Sequence, residues 1–230
     1  MYKNKIFIGT DTVSGIAPEI LESISLASST KTLPYGNDSF TVKCQDIVRE
    51  IFEKNDLEII PMMSGTASNS LALSAFLRSY SSVICHNDAH INKDEGGAPE
   101  YFSGGGKLLT LSNSLGRIGA DDLLKKIEEI NFKRKLIPII SGVSITQLAE
   151  NGTLYTLDEI NSISKICKIN KLYLHMDGAR FANALVTQEN ISPAEATWKV
   201  GVDCLSLGAT KNGAMAAEII IFFNKALARE

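Results

Sequence analysis

Short runs of almost purely apolar residues recur along the chain at 57–62, 82–85, 136–143, 172–176, 203–208 and 218–223. A strand with one wet face alternates polar and apolar side chains; a strand covered on both faces has no need to. Between these runs the apolar spacing becomes helical. Phe40, Cys44, Ile47, Val48, Ile51 and Phe52 fall on one helical stripe, and segments 66–80, 120–130, 157–169 and 179–185 also read as helices. Strands buried on both sides and separated by helices predict a three-layer α/β fold around a mostly parallel sheet. One connection differs. The stretch from Lys211 to Glu218 is too short for a crossover helix, so the last strand is expected to lie antiparallel to the one before it.

A chain of 230 residues that is 44% hydrophobic can bury one substantial core. A net charge of −3 gives no basic surface for nucleic acid. No apolar run approaches the ~20 residues that cross a bilayer, and residues 1–6 carry positive charge without a signal-peptide cleavage pattern. Cys44, Cys85, Cys167 and Cys204 are scattered, with no C-x-x-C spacing. They read as buried thiols in a reducing compartment and not as a disulfide frame or metal site, so a cytoplasmic protein is expected. Residues 93–106, KDEGGAPEYFSGGG, form a long irregular segment of the kind found at active sites.

Three strand ends carry suggestive chemistry, and strand ends are where α/β sheets bind ligands. In MMSGTASNS a strand runs through Ser64, Gly65 and Thr66 into a helix. Free N–H groups, a hydroxyl and a glycine there suit a phosphate, although the same pattern also serves as a simple helix cap. In LYLHMDGAR, Asp177 ends an apolar strand and needs a cation or strong donor; Arg180 could supply a purely structural pair. In LSLGATKNGA the next strand delivers Lys211 among small residues. An anion seat, an acid and a lysine together match pyridoxal phosphate, which takes a lysine on its aldehyde and a carboxylate beside its pyridine nitrogen. No nucleotide phosphate loop is present, and Gly104–Gly106 lacks the strand–turn–helix setting of a dinucleotide fingerprint.

The segments HMDGARFANAL, LSLGATKNGAM, SGTASN and HINKDEGGAPEYFSGGGKLL resemble the low-specificity threonine aldolases, β-eliminating lyases of the fold-type I pyridoxal-phosphate class. GTDTVSGIAPEI, YGND and SITQLAENGTLYTLDEI extend the resemblance over nearly the whole chain. It implies the large domain of that fold over 1–230, with 1–16 as an N-terminal arm, one antiparallel strand, and no smaller C-terminal domain of the kind family members carry. It makes Lys211 the Schiff-base lysine and Asp177 the partner of the pyridine nitrogen. Gly65 and Thr66, with Thr210, would hold the phosphate. Arg180 would bind the substrate carboxylate, with Thr10 lining the same site. His90 would stack on the cofactor and move the proton of the substrate hydroxyl, with Glu95 beside it; His86, four residues earlier, competes with His90 for that assignment. Tyr35 would reach a neighbouring subunit's site.

The resemblance implies retro-aldol cleavage of threonine or related β-hydroxy-α-amino acids to glycine and an aldehyde, in a homodimer or homotetramer. The alternatives are a remnant that binds cofactor or a partner subunit without turnover, and another β-eliminating reaction on the same residues.

Overall fold

The computed structural model describes residues 9–13, 15–133 and 138–229. Two helices come first, α1 (Pro18–Ser28) and α2 (Ser39–Ile51). They are followed by β1 (Glu58–Met62), α3 (Gly65–Ser74), β2 (Ser81–His86), α4 (His90–Lys93), α5 (Ala98–Phe102) and β3 (Lys107–Leu111). Then come α6 (Ala120–Phe132), β4 (Ile139–Thr146), α7 (Leu157–Ile169), β5 (Tyr173–Gly178), α8 (Phe181–Thr187), β6 (Cys204–Gly208) and β7 (Glu218–Phe222). The strands form one sheet in the order β1-β7-β6-β5-β4-β2-β3. β7 runs antiparallel to both of its neighbours, and every other pairing is parallel. The fold is therefore the expected α/β type with a single reversed strand.

The apolar runs are explained by the layers on either side. Successive side chains of a strand point to opposite faces. In β2, Ile84 packs with α6 and α7 residues Leu123, Ile127, Ile160 and Ile163, while its neighbours Val83 and Cys85 pack with α3 residues Ala72 and Leu73. Strand β7 divides the same way, with Ile221 on the first face and Ile220 and Phe222 on the second. Truncating a wholly buried side chain such as Leu73 or Leu174 would cost about 2–5 kcal/mol.

Local signals set the element ends. α7 begins at a reciprocal capping box between Thr156 and Glu159, which ties two otherwise unpaired N–H groups. α3 stops sooner than its period implies. Phe76 and Leu77 stay buried, but Ser81 Oγ accepts the Arg78 N–H at 2.8 Å and turns the chain into β2. The segment read as irregular holds α5, and the strand after it, β3, was not expected. The run at 136–143 is β4, shifted toward its C-terminal side; residues 136 and 137 lie outside the described residues, as do 1–8 and 14 of the expected arm.

One expectation needs correction. Of the four thiols, Cys85, Cys167 and Cys204 are buried, but Cys44 is exposed. The reason is that α2 touches the core only near its C-terminal end. Val48 and Phe52 are buried, with Phe52 against Phe181 and Phe223 at 6.3 and 5.5 Å between ring centres. Phe40, Ile47 and Ile51 on the same stripe are exposed. No helix among the described residues is long and apolar enough to cross a membrane.

Candidate active site

Strands β5 and β6 lie side by side, with Asp177 opposite Ser206 and Gly178 opposite Leu207. Two glycines let the loops beyond them meet. A Cβ on Gly178 would lie 2.7 Å from Leu205 Cδ1, and one on Gly208 would lie 2.8 Å from the Ala179 Cα. Asp177 and Lys211 therefore face one cavity of about 290 Å³, whose floor also includes Gly65, Thr66, Asn69 and His90.

The α3 N-terminus forms one wall. Ser64 Oγ accepts the Ala67 N–H at 3.2 Å, while the first N–H groups of any helix have no acceptor within it. A Cβ on Gly65 would meet nothing within 4 Å. The side of the helix start that faces the cavity thus has space for an anion.

The inner part of the site is a chain of four side chains. Asp177, 3% exposed, accepts the Ala179 N–H at Oδ1 (3.0 Å) and an Asn69 Nδ2 hydrogen at Oδ2 (3.0 Å). The same Asn69 nitrogen donates to Glu95 Oε1 at 2.8 Å, and His90 Nδ1 lies 2.9 Å from that oxygen. Burial pushes Glu95 above the ordinary carboxyl range, and Asp177 adds to this, against the lowering by its bonds to His90 and Asn69. The bond to Glu95 in turn raises His90 despite its partial burial, with Asp177 and Glu150 contributing at longer range. Glu95 Oε2 and Asn69 Oδ1 are buried without a partner among the described residues.

The outer part is a group of four charges at the mouth. Arg180 pairs through Nε with Asp11 and through Nη1 with Glu150 at 3.1 Å; Lys211 Nζ lies 3.5 Å from Asp11 Oδ1. Burial raises Asp11, but Arg180 and Lys211 together outweigh it and hold the carboxyl below its usual value. Beside Lys211, Glu218 is pushed up by burial and shares a hydrogen bond with the Thr210 side chain.

The cavity thus gathers Lys211, Asp177, Gly65, Thr66, Thr210 and His90, with Glu95 and Arg180 bonded to its lining. His86 does not line it. Its buried ring lies between the backbone nitrogens of Asp88 (3.1 Å from Nδ1) and Asn113 (3.3 Å from Nε2). Thr10 is exposed and bonds to Thr12, and Thr12 lines the cavity in its place. Tyr35 is 97% exposed and stands away from the cavity of its own chain. Sequence reasoning missed Asn69, Asp11, Glu150 and Glu218. Asn69 left one signal: it is a polar residue one turn from Gly65 within a helix stretch that turns to the core.

A lysine and a carboxylate from adjacent strand ends thus share one cavity with the start of a helix. The chain matches the beta-eliminating lyase family over residues 8–230 and belongs to it. It is 43% identical to a low specificity L-threonine aldolase of Pseudomonas aeruginosa over 96% of its own length, and 44% identical to one of a Pseudomonas species over the same share. It spans 63% of the length of each of these relatives. The threonine aldolase structure from Leishmania major superposes with a TM-score of 0.87 at 32% identity, covering 95% of this chain and 62% of that one.

Proposed function

We propose that the chain is the cofactor-binding part of a pyridoxal-phosphate-dependent aldehyde-lyase that cleaves L-threonine and related β-hydroxy-α-amino acids to glycine and an aldehyde. The observation that carries this reading is the convergence of Lys211 and Asp177 on one cavity through the adjacent ends of β6 and β5. The donor set supports the cofactor. The open space over Gly65 suits its phosphate, with Thr66 and Thr210 as hydroxyl donors. Asp177, fixed by two donors, would support its ring nitrogen, and Lys211 would hold its aldehyde carbon. When bound, the cofactor supplies an electron sink for the pair released at the substrate α-carbon.

The remaining work falls to this chain's own side chains. Arg180 binds the substrate carboxylate by exchanging one of its present partners, Asp11 or Glu150, for the incoming group. His90 accepts the β-hydroxyl proton, and Glu95 fixes the orientation of its ring through Nδ1, leaving Nε2 for the substrate. Raising His90 above its ordinary value makes it a stronger base, effective once pH exceeds that raised midpoint.

Two further parts of the proposal concern setting. A homodimer or homotetramer is supported by α1, which has no buried residue although it carries Leu21, Ile24 and Leu26, and by the half-covered stripe of α2; Tyr35 would then serve a neighbour's cavity. A reducing, cytoplasmic location is supported by four free cysteines.

The test is direct. Purified chain mixed with pyridoxal phosphate should turn yellow, borohydride should fix the cofactor to Lys211, and L-threonine should release acetaldehyde. In Lys211→Ala both colour and turnover should be lost. A colourless wild-type mixture with no label on Lys211 overturns the cofactor; colour with no aldehyde from any β-hydroxy-α-amino acid overturns the reaction.

A further inference from the structure

Asn69 donates from a single amide nitrogen to two buried carboxylates, Glu95 at 2.8 Å and Asp177 at 3.0 Å, although the three residues come from α3, the segment after α4, and β5. An amide nitrogen has two hydrogens, so each carboxylate receives one. We propose that Asn69 is a positioning residue that holds the His90–Glu95 pair and Asp177 in one register by giving one hydrogen to each carboxylate. The proposal rests on the reading above for its catalytic meaning, but its electrostatic content concerns this chain alone.

The physical case begins with repulsion. Two carboxylates close together in a dry site do not both ionise unless something compensates them, and one of them takes up a proton instead. The nearby cations fill this role only in part. Arg180 and Lys211 are engaged with Asp11 and Glu150 at the mouth, and the bond from His90 lowers Glu95, to which Asn69 adds while also serving Asp177. Asn69 supplies a hydrogen to each acid without adding charge. Its own Oδ1 is buried with no partner among the described residues, so the amide is placed for its donors. An aspartate or leucine of similar size would offer at most one hydrogen or none.

The groups that set His90 are then Glu95 in direct contact, Asp177 beyond Asn69, and Glu150 from the loop after β4. Removing the Asn69 hydrogens raises the proton affinity of Glu95. A protonated Glu95 no longer supports a charged imidazole, so His90 titrates at lower pH. Asp177 loses one of its two donors, and its hold on a cationic ring nitrogen weakens.

The experiment follows the three histidine rings by NMR over a pH series in the full chain before cofactor is added, with His90→Gln identifying the His90 signal. In Asn69→Leu the His90 midpoint should move down, and pyridoxal phosphate should bind about tenfold more weakly, as expected for the loss of one hydrogen bond to a charged group. Glu95→Gln should lower the His90 midpoint too, and adding Asn69→Leu to it should move that midpoint no further. Asn69→Ser offers one donor and serves if Leu does not fold; a smaller downward move supports the proposal. A His90 curve unchanged in a folded Asn69 variant, even one of reduced thermal stability, overturns it. So does an additional shift in the double variant. Failure of the wild-type chain to take up the cofactor would instead sink the proposed function and leave the His90 comparison readable.

Discussion

The two halves of the site hold their charges by different means. The inner half, His90–Glu95–Asn69–Asp177, is nearly dry at its centre, and its members are fixed by hydrogen bonds of defined geometry between separate elements. The outer half, Arg180–Asp11–Lys211–Glu150, balances two cations against two anions, and Asp11 has 40% of its side chain in water. Bonds to buried charges are strong and costly to leave unmade, whereas ion pairs that keep some access to water are worth less. The contrast suits the proposed reaction: the cofactor's acid must not move, while the substrate's arginine must change partner.

Substitutions can break or sharpen that contrast. The largest effect is expected at the inner end. Asp177→Ala should lower turnover roughly 10²–10³-fold, the scale for removing one preorganised electrostatic group, and should weaken cofactor binding, read by colour titration. Arg180→Ala should leave the colour and raise KM for threonine about 10- to 100-fold, as fits a lost charge-assisted contact to a carboxylate. If that variant lost cofactor instead, the division into halves would be wrong. Asp11→Asn should change folding stability by less than about 1 kcal/mol and lower KM by no more than about fivefold, since it removes only a partly screened competitor for Arg180.

The smallest effect is a pH dependence of stability. His90 has its folded proton affinity raised by Glu95, so its contribution is fully present below the ordinary imidazole value of about 6.5 and fades as pH rises through the raised folded value. The difference in thermal midpoint between wild type and His90→Gln should therefore be greatest in mild acid and shrink above neutrality. A difference that grows with pH would contradict the bond to an ionised Glu95.

Much of this architecture can be read from the residues. Runs 203–208 and 218–223 lead to β6 and β7 because a strand buried on both faces need not alternate polar and apolar residues. α7 is legible to the residue at both ends from its apolar spacing, and the structure adds the Thr156–Glu159 cap at its start. α1 escaped because its apolar residues face no core, so no stripe had a burial to explain. In the site, Lys211 and Asp177 stand out through their immediate neighbours, whereas His90 comes only from the family resemblance. Asn69 and Asp11 do not, because their meaning lies with Asp177, 108 residues on, and with Arg180, 169 residues on. Local pattern carries no information about partners so distant.

The strand order also bears on how the molecule is made. β1 sits at the edge of the sheet, and its one neighbour is β7, so residues 58–62 wait for 218–222. Among the described residues β1 is the first strand to leave the ribosome, and its hydrogen-bonding edge stays unsatisfied until β7 follows. Pairings of such long sequence separation form slowly, and an open strand edge invites other chains meanwhile. Assembly of this sheet is thus a race between the final strand arriving and a stranger taking its seat.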